Sequence, residues 1–273
     1  MNTLISKNLT IPRLGFGTFR MPGDECKAVV ESAIEVGYRH IDTAAMYDNE
    51  AAVGRGIQAS GVPRDELFVT TKVWHDQLEP AAISKALDVS LGKLAMEYVD
   101  LFMVHWPSPS MNIEAIMNTL VSLRDSGRVR GIGVCNFNLS MLREAIDQFG
   151  APIAAVQVEY HPFLDQSRLL DYLRSKDIPL VAYAPLAQGR AANDPVLTQI
   201  GNKHGVTAAQ IALAWLLDQP GVIAIPKARH AERQRSNFAA QGIVLDDEDR
   251  RAIAALPKDQ RFVQPPFAPD WSA

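Results

Sequence analysis

The sequence predicts an α/β chain closed into a (β/α)8 TIM barrel, one domain over residues 1–273 with an N-terminal β-hairpin and an irregular C-terminal loop. Three observations predict it. Eight short apolar runs recur along the chain, several rich in β-branched residues as buried parallel strands are. Segments with helical spacing lie between them. The length of 273 residues also fits the roughly 250 at which such barrels commonly form a single domain. A doubly wound open sheet gives the same local alternation. Its Gly-x-Gly-x-x-Gly fingerprint is absent, because Gly15-Phe16-Gly17 and Gly131-Ile132-Gly133 both lack the third glycine.

The predicted strands are Leu14 to Gly17, Tyr38 to Asp42, Leu67 to Lys72, Val99 to His105, Arg130 to Cys135, Val156 to Glu159, Leu180 to Tyr183 and Val222 to Ile225. The predicted helices are Glu25 to Val36, Glu50 to Ala59, Ala81 to Leu94, Ile113 to Ser126, Ser140 to Phe149, Arg168 to Lys176 and Ala208 to Leu217. Start and stop signals agree with these spans. Pro80 suits a first helical turn, Ser140 and Thr207 suit caps, and Gly37, Gly127 and Gly150 follow helical stretches. A last helix, Asp246 to Leu256, opens with acidic residues and carries Arg250 and Arg251 further in, as the helix dipole favours. The tail from Pro257 holds Pro265, Pro266 and Pro269 and cannot be regular.

Composition narrows the function. A formal charge of −4 argues against a nucleic-acid footprint, which needs a basic face. The two cysteines, Cys26 and Cys135, are too few for a disulfide framework and lack zinc-site spacing, which points to a reducing cytoplasm. The first residues hold no apolar stretch of signal-peptide length, and no run of about 18 apolar residues occurs, so no membrane partner is expected. No two of the six histidines share a ligand-like motif, and no metal is expected. Neither a P-loop nor a Gly-x-Ser-x-Gly elbow is present.

Asp42, Tyr47, Lys72 and His105 each fall at or just beyond the C-terminal end of a different predicted strand. Those ends converge on one face of a barrel, where active sites are built. A phenol, an ammonium, a carboxylate and an imidazole brought together make a proton-transfer site. Lys72 beside the Tyr47 oxygen is expected to favour the phenolate and pull the pKa down from about 10, with Asp42 offsetting and holding the lysine. A neutral His105 would orient a carbonyl oxygen against the Tyr47 hydroxyl. Each residue also has a plain structural reading: Asp42 can cap a helix and Lys72 can snorkel outward. Four of them at successive strand ends make a common structural cause much harder to sustain.

The chain resembles the aldo-keto reductases over essentially its whole length. The resemblance rests on Leu14-Gly15-Phe16-Gly17-Thr18, Gly37-Tyr38-Arg39-His40-Ile41-Asp42-Thr43-Ala44, Tyr47-Asp48-Asn49-Glu50, Thr71-Lys72-Val73-Trp74 and Tyr98-Val99-Asp100-Leu101 leading to His105-Trp106-Pro107. It continues through Gly131-Ile132-Gly133-Val134-Cys135-Asn136-Phe137, Gln157-Val158-Glu159-Tyr160-His161-Pro162, Ala182-Tyr183-Ala184-Pro185-Leu186 and Ile225-Pro226-Lys227. It implies that Asp42, Tyr47, Lys72 and His105 protonate a carbonyl oxygen as NADPH delivers hydride to its carbon, with Tyr47 the acid. It further implies that Asn136 and Gln157, joined by Cys135, hold the nicotinamide carboxamide and that Tyr183 stacks on the ring. Backbone groups from Leu186 through Gln188 to Gly189 would meet the pyrophosphate, and Ala184 would be a further cofactor contact.

The stretch from Pro226 to Asn237 resembles the family's adenosine 2′-phosphate site. Lys227 and Arg233 match its basic residues, Ala228 and Arg229 lie in the same turn, and Asn237 matches the residue at the adenine. Arginine forks onto phosphate and lysine supplies a point charge, which favours NADPH over NADH. Ala228 and Ser236 depart from the family's usual serine and glutamate, and Cys135 from its usual serine. Phe19, Trp74, His105 and Trp106 would line the substrate pocket, with Phe262, Phe267 and Trp271 of the tail as further walls. The short connection from Pro107 to Asn112 and the compact tail resemble bacterial 2,5-diketo-gluconate reductases of the B type, also methylglyoxal reductases. Small carbonyl compounds are the implied substrates, and a monomer the default. Two other functions stay open on the sequence: a barrel lyase with Lys72 as Schiff base, and a relative that binds NADPH without turnover.

Overall fold

The computed structural model describes residues 2–273. A hairpin of β1 (Thr3–Ser6) and β2 (Leu9–Pro12) opens the chain. Eight parallel strands follow: β3 (Phe16–Gly17), β4 (His40–Asp42), β5 (Phe68–Val73), β6 (Val99–Val104), β7 (Val129–Cys135), β8 (Ile153–Glu159), β9 (Leu180–Tyr183) and β10 (Val222–Ala224). Each strand pairs with its neighbours in sequence, and the ring closes where Leu14, just before β3, bridges Ala224 in parallel. Gly15 N–H donates to Ala224 O at 2.9 Å, and Ala224 N–H to Arg13 O at 2.9 Å. The Arg13 guanidinium adds bonds to the carbonyls of Val222 and Gln219, fastening the seam from outside. All eight predicted strands are present; β8 starts three residues earlier than its apolar run, at Ile153.

The helices are α1 (Gly23–Val36), α2 (Glu50–Ala59), α3 (Pro80–Leu94), α4 (Ile113–Asp125), α5 (Leu139–Arg143), α6 (Ser167–Ser175), α7 (Pro195–His204), α8 (Ala208–Asp218), α9 (Ala231–Ala239) and α10 (Asp247–Ala254). Pro80 sits in the first turn of α3, and Thr207 forms a capping box with Gln210 at α8. Gly37 ends α1 with φ +123°, a conformation open to glycine. Ser140 is not the cap of α5. That role belongs to Asn138, whose side chain accepts the Met141 N–H, and the helix continues as a π turn over Glu144–Gln148. The sequence reading also left out α7, although Asp194 caps it, Pro195 begins it and Gly205 closes it with φ +67°.

Apolar side chains on the outer face of the strands and the inner face of the helices form the main core. A second cluster fills the barrel, where Leu9 and Ile11 of the hairpin join Phe68, Leu101, Met103 and Ile223. The hairpin therefore plugs the end where the strands begin. The fit there is close: a Cβ on Gly131 would press on the end of the Leu9 side chain. The opposite end, where the strands finish, is free to hold polar side chains. No helix among the described residues is long and apolar enough to cross a membrane.

Candidate active site

β4 ends on Asp42, and the chain passes through a single 3-10 turn, Ala45–Tyr47, that brings Tyr47 back over the strand ends. Lys72 lies one residue before the end of β5, and His105 follows β6 directly. Lys72 is wholly buried and Asp42 is 2% exposed, so neither charge is tolerable alone. They satisfy each other: Lys72 Nζ donates to Asp42 Oδ1 at 2.5 Å and to Thr43 O at 2.8 Å. The second Asp42 oxygen accepts the Gln157 side-chain N–H at 2.8 Å. Lys72 Nζ lies 5.4 Å from the centre of the Tyr47 ring, and the Tyr47 and His105 ring centres are 5.5 Å apart. The four residues thus meet as the sequence predicted. Lys72 does not snorkel outward, and Asp42 serves the lysine rather than a helix cap.

The electrostatics differ from expectation on one point. Burial raises the Tyr47 phenol and Lys72 pulls it down through its charge and a hydrogen bond, but burial is the larger effect and the net result is up, to about 12. The expected lowering below the usual value of about 10 is therefore not found. Burial depresses Lys72, yet Asp42 and Tyr47 oppose it, and the ammonium ends above its ordinary value. Burial, then the Lys72 charge, then His75 hold His105 well below its ordinary value. At neutral pH the site contains a phenol that keeps its proton, a fixed ammonium and a neutral imidazole. Nδ1 of His105 is buried without a partner.

Beside this group, Asn136 takes a left-handed conformation (φ 60°), which asparagine tolerates. Its amide donates to His105 O at 2.9 Å and accepts the Tyr183 hydroxyl at 2.9 Å. Asn136, Gln157 and the half-buried Tyr183 thus form a polar floor beside Asp42, Tyr47, Lys72 and His105. Cys135 is buried with its thiol 3.8 Å from Met103 Sδ, turned toward the barrel interior rather than shared with the two amides. Burial pushes that thiol well up, so it stays protonated. The turn from Ala184 to Gly189 carries positive φ at Ala184, Ala187, Gln188 and Gly189, which leaves the backbone at Gln188 and Gly189 exposed near the floor.

The basic segment folds where β10 ends. Lys227 and Arg233 are exposed and in no ion pair among the described residues. Burial and the nearby Arg229 and Arg20 push Lys227 down, a crowding of cations that an anion would relieve. Arg229 is otherwise engaged, donating to Arg20 O at 2.7 Å and pairing with Glu25 at 3.4 Å. Ala228 and Asn237 are buried, so the first offers only backbone. Sequence reasoning missed Gln234, which is fully buried and bonds Val29 O, Ala228 O and Ser32, seating α9 against α1. Polar residues amid exposed basic ones give no sign of burial in sequence.

Aromatic rings line the mouth. Phe19 lies 5.0 Å from Tyr47, and Trp74 lies 5.1 Å from His105. Trp106 is almost wholly buried because the tail covers it, with Phe267 at 5.6 Å and Trp271 at 6.2 Å. Phe262 instead packs on His161, at 5.4 Å, and is not part of that wall. No group of three or more potential metal ligands occurs among the described residues.

The model of the Aldo/keto reductase family matches residues 13–258, and the chain belongs to that family. It is 42% identical over 267 residues to methylglyoxal reductase DkgB of Salmonella typhi, covering 96% of this chain and 100% of the relative. Glyoxal reductase of Bacillus subtilis strain 168 is 40% identical over 258 residues, covering 94% and 93%. A crystal structure described as a candidate 2,5-diketo-D-gluconic acid reductase B superposes with a TM-score of 0.97 at 43% identity, covering 100% of this chain and 98% of that one.

Proposed function

We propose that the protein reduces aldehydes and ketones to alcohols with NADPH, and that Tyr47 supplies the proton. The observation that carries this reading is the buried Lys72–Asp42 pair at the strand ends, with Lys72 Nζ 5.4 Å from the centre of the Tyr47 ring and the His105 ring centre 5.5 Å from the same point. Bound NADPH would supply hydride to the carbonyl carbon. The residues present suit it: two amides and an aromatic face stand next to the acid, and exposed Lys227 and Arg233 suit a phosphate dianion. As the carbonyl oxygen gains charge, Tyr47 Oη transfers its proton to it, and Lys72 stabilises the phenolate left behind. Asp42 keeps Lys72 in place, and His105 donates one N–H to orient the oxygen. The aromatic mouth excludes water.

Relatives named for methylglyoxal and glyoxal suggest small 2-oxoaldehydes as substrates, with 2,5-diketo-D-gluconate a further candidate. A Schiff-base role for Lys72 is disfavoured, since that amine is wholly buried and shifted toward its charged form. We take the chain to act as a monomer in the cytoplasm. The test is NADPH oxidation by purified protein with methylglyoxal and 4-nitrobenzaldehyde. Turnover supports the reading; tight NADPH binding with no turnover across aldehydes and keto acids would favour a relative that binds without reaction.

A further inference from the structure

Glu159 ends β8 and is fully buried, yet it contributes nothing to the proton-transfer group. Its carboxylate is occupied by the tail. Oε1 accepts the backbone N–H of Phe262 at 2.7 Å and Oε2 that of Val263 at 3.0 Å, while Arg261 Nη1 stands 3.9 Å from Oε2. His161 completes the set: its Nδ1 accepts the Phe163 N–H, leaving Nε2 to donate to Glu159 Oε1 at 3.1 Å. The tail reaches this point along the loop after β8, through Asp165 N–H to Lys258 O and Gln260 N–H to Phe163 O. From Val263 onward it crosses the mouth. Phe267 stacks on His75 at 4.1 Å and stands 5.8 Å from Trp74; Trp271 lies under the Arg261 guanidinium at 3.8 Å. Beyond Val263 the bonds to the barrel are few, chiefly Asn138 to Asp270 O.

Two consecutive backbone amides captured by one buried carboxylate form a charge-assisted clasp, stronger than the neutral bonds on either side of it. We propose that Glu159 is a positioning residue for substrate selection: it clamps the C-terminal tail so that Phe267 and Trp271 stand as a fixed wall of the pocket. Gln157 lies two residues earlier on the same face of β8, so one strand sets both the cofactor floor and the substrate wall. Glu159 is also paired across the sheet with Tyr183. The proposal rests on the reductase reading for its pocket, but the clasp itself can be tested without substrate.

Trypsin cleavage after Arg261, followed by mass spectrometry on the full chain, reads tail release. Glu159→Gln keeps the shape and removes the charge, and it should speed that cut about tenfold, as expected for loss of bonds to a charged group. Val263→Pro removes one donor from the tail side and leaves β8 unchanged; it should act in the same direction. In turnover assays, Glu159→Gln should raise KM for 4-nitrobenzaldehyde about fivefold, the scale of a lost apolar contact. Affinity for NADPH, read by fluorescence, should hold. Phe267→Ala should match that KM change, and adding Glu159→Gln to it should change KM little further. Unaltered cleavage in both clasp variants, equal losses for aldehyde and NADPH, or multiplying effects in the double variant would overturn the proposal. Absence of turnover in the wild type, with the cleavage result intact, would instead remove the reductase reading.

Discussion

The two ends of the barrel obey opposite rules. Where the strands begin, Leu9 and Ile11 press into an apolar interior in which a methyl group at Gly131 would have to displace the end of Leu9. Where they finish, a lysine and an aspartate are buried at an electrostatic cost that apolar packing would avoid. Ile11 at one end and the Lys72–Asp42 pair at the other are alike buried, so burial alone says little about role. The difference lies in what the buried groups need from each other. The lower end is satisfied by shape, while the upper end is satisfied only by specific donors and acceptors. Stability should therefore concentrate in the first and chemistry in the second.

Substitutions can break that division. The largest effect is expected for Tyr47→Phe, which should lower kcat by roughly 10²–10⁴, the scale of general acid catalysis, with NADPH affinity and melting temperature nearly unchanged. Normal turnover in this variant would remove Tyr47 as the acid. At the other end, Ile11→Ala should cost about 2–4 kcal/mol of stability through the cavity it leaves, while kcat at room temperature holds. A chemical denaturation midpoint checks it, and a matching fall in kcat would show that the two ends are coupled. Arg233→Ala should raise KM for NADPH by about tenfold, the scale of one lost charge-assisted contact, and leave KM for NADH almost alone. Equal effects on both cofactors would displace the phosphate from Arg233.

The smallest effects concern pH. Because the folded pKa of His105 is depressed, the unfolded chain binds a proton there that the folded chain does not. The resulting stability is present above the unfolded value of about 6.5 and is lost as pH falls through and below it. A shallow decline in melting temperature below that point is expected, weaker in His105→Asn. On the alkaline side, a Tyr47 phenol near 12 should keep kcat for reduction flat through neutral and mildly alkaline pH. A limb near pH 8 would mean that the site lowers the phenol after all.

Most of this contrast was legible in the chain. Eight strands could be placed because buried parallel strands are continuously apolar, and the cluster of Asp42, Tyr47, Lys72 and His105 because it falls at the ends of those runs. α7 carries Asp194, Pro195 and Gly205 as start and stop signals, although an alternation of eight strands with their crossovers does not require it. The direction of the Tyr47 shift was less accessible. It depends on how deeply the phenol is buried, which no local pattern records, and the pull of Lys72 was visible while the opposing burial was not. The path of the tail is the other gap. Glu159 holds Val263 across 104 positions, and a proline-rich stretch tells nothing of the carboxylate that receives it.

The seam between Arg13 and β10 has a consequence for synthesis. The Arg13 guanidinium bonds carbonyls 206 and 209 residues further on, and β3 has no partner on that side until β10 arrives. A chain emerging from the ribosome must therefore carry an open sheet edge through most of translation, with pairings of very high sequence separation saved for last. The hairpin that precedes β3 is synthesised first, yet Leu9 and Ile11 have no barrel interior to plug until the nascent ring closes.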